Sequence, residues 1–164
     1  MAKQGAFTFV LHSHIPYCRS AGRWPHGEEW LHEAAAETYI PLLRALYDLR
    51  DEGVPYRLTI GLTPVLAEQL RDPLINDHLN EYLETRIQAA AQDGSRLRAA
   101  GKADLASLAE YYHAMYSRLL ADYRDAFAHD LVGAFGELQK SGHIEIATSG
   151  ATHGYLPLLE PVAP

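Results

Sequence analysis

Three short runs of β-forming residues, held far apart by helical sequence, set the tightest limit on how this chain folds. Residues 6–11 (AFTFVL) are aromatic and β-branched and read as a buried strand. Residues 56–61 (YRLTIG) and 144–148 (IEIAT) read as the second and third strands. Strands separated by helices pair in parallel through right-handed crossovers. All three should therefore end on the same edge of one sheet, where parallel α/β folds place their chemistry.

The punctuation between them follows one syntax: helix, glycine, strand, polar loop, helix. Residues 28–37 look helical, Thr38 is placed to cap a further turn, and residues 39–52 put Ile40, Leu43, Leu46, Tyr47 and Leu49 on one side. Gly53 and Gly142 stand where left-handed helix stops are expected, just before strands two and three. Thr63 and Pro64 form a cap followed by a first-turn proline. Helical sequence then covers residues 74–91 and 105–128, with a polar break expected at 92–104. Asp130 caps a last helix over 130–141. Tyr111, Tyr112, Tyr116 and Tyr123 fall at helical spacing and read as packing. Arg44, Arg86 and Arg118 read as solvated helix faces.

Three polar clusters meet on the common edge: His12-Ser13-His14-Ile15-Pro16, Gly61-Leu62-Thr63-Pro64, and residues 148–155 (TSGATHGY). His12 and His14 are two apart, so on a continued strand both face one way. Such a pair can bind a metal or hydrogen-bond substrate hydroxyls, or it is a pair of loop histidines with solvent partners. His153 lies in a stretch with Gly150 and Gly154, which either lets backbone approach a ligand or simply makes a turn. Trp24, Trp30, Tyr17 and Tyr155 lie near the same edge; an aromatic face there stacks on a sugar ring or anchors a loop.

Composition closes off several classes. The chain has 164 residues, 48% of them hydrophobic, which fits one ordinary domain and excludes a disordered chain. Its net charge of −7, without a Lys/Arg block, leaves no footprint for nucleic acid or an anionic membrane. No apolar run approaches a membrane span, and the N-terminus lacks a secretory pattern, so a soluble cytoplasmic protein is expected. Cys18 is the single cysteine, and no strand–elbow–helix motif frames it as a nucleophile. No Asp or Glu stands at the three strand ends. Glu145 lies inside strand three and is expected to point to the helix layer or a structural partner. A carboxylate pair for glycoside chemistry is thus missing from the edge.

The segments VLHSHIPYCRSAGRWPHGEEWLHEAAAETYIPLLRAL, LTIGLTPVLAEQL and GHIEIATSGATHGYLPLL resemble, in order, the N-terminal part of glycoside hydrolase family 57, specifically its 1,4-α-glucan branching members. The first carries the H-x-H-x-P element and the third resembles the family's second signature. The resemblance implies an α/β fold: the first three parallel strands and crossover helices of a distorted (β/α)7 barrel, truncated at Pro164, with a helical insertion at about 64–141. It implies a retaining mechanism that cleaves α-1,4 links and forms α-1,6 links, with no metal or other cofactor. By resemblance His12, His14 and His153 line the sugar site; Trp24 and Tyr155, from their place near the same edge, are expected as further substrate contacts. The Glu nucleophile and Asp acid/base belong to later signatures, so no catalytic residue is expected in this chain and the chain alone is expected to be inactive.

The implied partner is an α-1,4-glucan such as amylose or a glycogen-like polysaccharide. Open sheet edges imply either the missing barrel half or self-association. Three alternatives stand beside this: a metal-dependent polysaccharide deacetylase, a non-catalytic glucan-binding module, and a family 57 α-amylase or 4-α-glucanotransferase.

Overall fold

The computed structural model describes residue 5 and residues 7–159. Its centre is a three-stranded parallel sheet, β1 (Val10–Ser13), β2 (Leu58–Leu62) and β3 (Ile144–Ala147), in the order β1-β2-β3. The register pairs His12 with Gly61 and Gly61 with Ala147, one row below the C-terminal edge. In the next row Leu11, Ile60 and Ile146 stand side by side. Strand alternation sends that row toward the helices, where Ile60 is buried and Ile146 packs on the core. Val10, His12, Thr59, Gly61, Glu145 and Ala147 point to the opposite face. No helix among the described residues covers that face, and Val10, His12, Glu145 and Ala147 are exposed.

The first strand differs from its expected form. It begins at Val10 rather than at residue 6, and Phe7, Phe9 and Val10 are exposed, Phe7 by 83%. Ala6 lies outside the described residues. The Phe9 carbonyl still accepts from the Thr59 N–H at 3.0 Å, so pairing starts beside the aromatic run. An edge strand on a one-sided sheet cannot bury both of its faces, whatever its sequence favours.

Helix α1 (Glu28–Ala34) passes through a π-helical turn (Ala35–Tyr39) into α2 (Ile40–Asp51) as one rod. Thr38 lies within that turn and caps nothing. The Ile40 N–H reaches back five residues to the Ala35 carbonyl. Pro41, which has no N–H to give, follows at once, and the widened turn accommodates it. Leu31, Ile40, Leu43 and Leu46 of this rod are buried, and Gly53 ends it with a positive φ.

Four helices stand between β2 and β3: α3 (Pro64–Arg71), α4 (Pro73–Ala99), α5 (Ala103–Ala121) and α6 (Leu131–Lys140). The expected break at 92–104 shrinks to residues 100–102. Gly94, which reads as a helix breaker, is buried inside α4, and a Cβ there would lie 3.8 Å from that of Ala109 on α5. A small residue at that contact lets two antiparallel helices approach closely. Of the four tyrosines read as packing, Tyr123 is fully buried and Tyr116 packs on the core. Tyr111 and Tyr112 are exposed, together with Leu105 and Leu108. Arg86 is not a free solvated residue: it lies over the Tyr82 ring at 4.7 Å and pairs with Glu29. Arg44 is half-buried between Asp48 and Asp122. Asp130 caps α6 through the Gly133 N–H at 2.8 Å. No helix among the described residues is long and apolar enough to cross a membrane.

The seam between α1 and α4 is polar. The buried Glu28 carboxylate meets His78 Nδ1 at 2.5 Å. One turn on, His32 is 3% exposed and its Nε2 has no partner. Burial pulls the His32 pKa down to about 4; the Glu28 carboxylate opposes this, while Arg23 and His78 reinforce it. The unfolded chain therefore takes up a proton at His32 that the folded chain refuses, between its ordinary value of 6.5 and about 4. Stability from this residue is full above that window and is lost as pH falls through it. Urea unfolding at pH 7.5 and 4.5 should show wild type losing about 2–3 kcal/mol more than His32→Phe over that interval.

Candidate functional site

The C-terminal edge of the sheet gathers three imidazoles. Ring centroids of His12 and His153 lie 4.9 Å apart, those of His14 and His153 4.6 Å, and those of His12 and His14 6.4 Å. His153 bridges the pair contributed by the first strand and its exit. Two local features make room. Opposite His12 the sheet carries Gly61, and a Cβ there would come within 3.2 Å of His12 Nδ1. His153 itself adopts φ +60°, stabilised by its N–H donating to the Gly150 carbonyl at 2.8 Å. The same loop docks on α3 through the Val65 N–H and the Ala151 carbonyl, at 3.2 Å.

Thr63 occupies the cap position of α3, but its hydroxyl makes no capping bond. Buried at 1% exposure, it instead meets His14 Nδ1 at 3.1 Å. One ring nitrogen of His14 is thereby fixed and the other is left for a ligand. The His14 pKa is lowered, first by desolvation and then by the neighbouring His153 and His12. A neutral imidazole both donates and accepts, which suits sugar hydroxyls. Ser13, between the two histidines, points the other way, toward the buried Tyr39 of the π turn.

The loop leaving β1 is held by one side chain from α3. Gln69, 3% exposed, accepts from the Cys18 N–H at 2.9 Å and from its thiol at 3.2 Å. Its amide nitrogen lies 3.2 Å from the Pro16 and Val65 carbonyls and 3.4 Å from that of Ile15. Nothing local announces this role, since its partners on the loop lie more than fifty residues away. Gly61 and Thr63 were within reach of sequence reading, because both stand at the end of a strand facing the histidine pair.

The structure brings His12, His14 and His153 together, and among the described residues no other aromatic ring pairs with theirs. Tyr155 is 70% exposed in the loop after β3, and Trp24 borders a separate cavity with His32, Tyr82 and Arg86. Trp30 meets the His26 ring at a tilted angle of 58°, and Tyr17 is exposed. Glu145 points away from the helix layer and accepts from the Thr59 hydroxyl at 3.3 Å, a cross-strand contact below the imidazoles. Among the described residues no group of three His, Cys, Asp or Glu is arranged to hold a metal ion.

The glycosyl hydrolase family 57 model matches residues 8–162. The chain belongs to glycosyl hydrolase family 57. It is 47% identical to the 1,4-α-glucan branching enzyme TK1436 of Thermococcus kodakarensis over 156 residues, which are 95% of this chain and 22% of that protein. A probable 1,4-α-glucan branching enzyme of Mycobacterium tuberculosis, Rv3031, is 36% identical over 168 residues, 96% of this chain and 32% of that one. The crystal structure of a family 57 branching enzyme from Pyrococcus horikoshii superposes with a TM-score of 0.83 at 42% identity, covering 94% of this chain and 28% of that one. That of the α-amylase AmyC from Thermotoga maritima gives 0.78 at 31% identity, over 92% and 28%. The chain thus spans between about a fifth and a third of these family 57 relatives. Its three parallel strands and crossover helices are part of the (β/α)7 barrel of that family.

Two measurements check the geometry. In His153→Ala the His14 ring, followed by NMR titration, should take up its proton at higher pH than in wild type. Desolvation, the larger cause, should still hold it below the ordinary value. Gln69→Leu strands the Cys18 N–H and the Ile15 and Pro16 carbonyls, and should lower the urea-unfolding free energy by about 2–4 kcal/mol.

Proposed function

We propose that this chain supplies part of the sugar-binding rim of a 1,4-α-glucan branching enzyme, which cleaves α-1,4 links and forms α-1,6 links with retention. The single observation that carries this is the imidazole cluster on the carboxyl edge of the sheet, in a chain 47% identical to a branching enzyme. His12, His14 and His153 hydrogen-bond glucose hydroxyls, and Trp24 and Tyr155 offer aromatic faces to the same polysaccharide. Neutral His14, fixed by Thr63, orients the sugar rather than exchanging protons with it. The Glu nucleophile and Asp acid/base come from barrel sequence outside this chain. In support, the only carboxylate on the described strands, Glu145, sits below the imidazoles and is bonded to Thr59. The chain is one portion of a single barrel, with residues 64–141 as a helical insertion.

The uncovered sheet face, with exposed Phe9 and Val10 beside it, is covered by the remaining barrel or, without it, by another copy. The reaction needs no cofactor, the acidic chain takes no nucleic acid or membrane partner, and the protein works in the cytoplasm. Identity favours branching over amylase action: the branching relatives stand at 36–47% and AmyC at 31%.

Incubated alone with amylose, the chain should produce neither new α-1,6 links nor new reducing ends. Turnover would place the catalytic carboxylates within it and sink this assignment. Titration with maltoheptaose should shift the His12, His14 and His153 ring signals, and an unmoved set of imidazoles would remove the sugar from the rim.

A further inference from the structure

A second polar hollow lies between the loop 22–27 and α4, away from the imidazoles. It has a volume of about 450 Å³ and is lined by Arg23, Trp24, Glu29, His32, Tyr82 and Arg86, with Glu81 and Thr85 on its α4 side. That size lies within the range of small-molecule pockets, about 300–1,000 Å³. We propose that this hollow is a second oligosaccharide site, taking a neutral α-1,4-linked glucan segment at a place separate from the rim. The linkage rests on the glucan reading above; the neutral, polyhydroxylated character of the ligand rests on the hollow itself.

Charge is the first ground. Two guanidinium groups face two carboxylates, and they are already paired: Arg23 with Glu81 at 2.9 Å, and Arg86 with Glu29. His32 adds no charge at neutral pH, since burial holds it unprotonated. An anion would meet Glu29 and Glu81, and a cation would meet Arg23 and Arg86. A neutral ligand with many hydroxyls can use both kinds of group without breaking the balance.

Shape is the second ground. Trp24 is 74% exposed, although tryptophan is usually among the well-covered residues. Its loop is nonetheless pinned. The Glu28 and Glu29 N–H groups donate to the Gly22 and Arg23 carbonyls, each at 2.9 Å. Gly27 packs so tightly on Gly22 that a Cβ at Gly27 would overlap the Gly22 carbonyl. An indole held out by a fixed loop is a stacking platform. Across the hollow, the Arg86 guanidinium lies over the Tyr82 ring, 4.7 Å from its centre, and offers planar donors.

The third ground is an unmet hydrogen bond. His32 is buried at the base of the hollow, and its Nε2 has no partner. Such an atom costs about 1–3 kcal/mol unless something reaches it. The Arg23–Glu81 pair that borders the hollow is exposed on both sides, and its opening lets a ligand hydroxyl in.

The test is titration of the chain with maltoheptaose, followed by NMR at the Trp24 indole N–H and the His32 ring, with the rim imidazoles read in the same spectra. Shifts at Trp24 and His32 are expected. Thr85→Phe, an exposed position that fills the hollow without removing a bond, should abolish them while leaving the rim shifts in place. Arg86→Gln should weaken binding at Trp24 at least about fivefold, the loss of roughly one good polar contact. Shifts at the rim without any at Trp24 overturn this second site and leave the rim standing. Shifts at Trp24 without any at the rim support it and overturn the rim. Equal response to cellohexaose, or a stronger one to inorganic phosphate, overturns the ligand class proposed.

Discussion

Parallel pairing in one continuous register is the constraint from which the rest of this structure follows. His12, Gly61 and Ala147 share a row, and Leu11, Ile60 and Ile146 share the next. A slip of one residue would exchange the two faces, turning His12 into the helix layer and Leu11 outward. The apolar row prevents it, because Ile60 and its neighbours belong to a core with leucines from six helices. Positioning the first imidazole is therefore a by-product of burying the row beneath it. The other two imidazoles need more than register. His14 lies just past the end of β1 and His153 six residues beyond β3.

Helix α3 meets that need by giving up part of its own termination. A threonine at a helix start normally accepts from an N–H of the first turn, a contact worth about 1 kcal/mol. Here the Thr63 hydroxyl is turned to His14, and the first-turn Pro64 lessens the loss by having no N–H to satisfy. Two turns later Gln69 binds the backbone on either side of Pro16. Both ends of the first loop are thus fixed to one short helix, whose N-terminus also receives the third loop through Val65 and Ala151. The three loops converge because one element holds two of them and the sheet aligns all three.

Local rules made much of this legible. Parallel pairing of the strands, the two glycine stops before β2 and β3, the Asp130 cap and the meeting of His12, His14 and His153 all follow from periodicity, turn chemistry and crossover topology. What was not legible depends on contacts between distant segments. Gly94 looks like a break until Ala109 is placed against it. Thr38 suggests a helix cap, but the rod continues through a wider turn because both of its halves are anchored in the core. Arg86 looks solvated until Glu29 comes across from α1 to pair with it. Trp24 lies close in sequence to the histidine pair yet stands at another hollow, because Gly22 and Gly27 fold its loop back onto α1.

The uncovered face of the sheet carries a gradient along the strands that matches a barrel interior. Its lower row has Val10, Thr59 and Glu145, groups large enough to meet side chains from facing strands. Its upper row has Gly61 and Ala147 beside His12. Parallel strands are stable when both faces are covered, so the lower row must be closed by packing that this chain does not provide. The upper row cannot be closed in the same way, since two of its three positions carry almost no side chain. Closing the barrel therefore leaves a hollow at the level of the imidazoles and none beneath it. On the function proposed above, a glucan end reaching into the barrel would meet a floor one row down, with His12, His14 and His153 as the wall above.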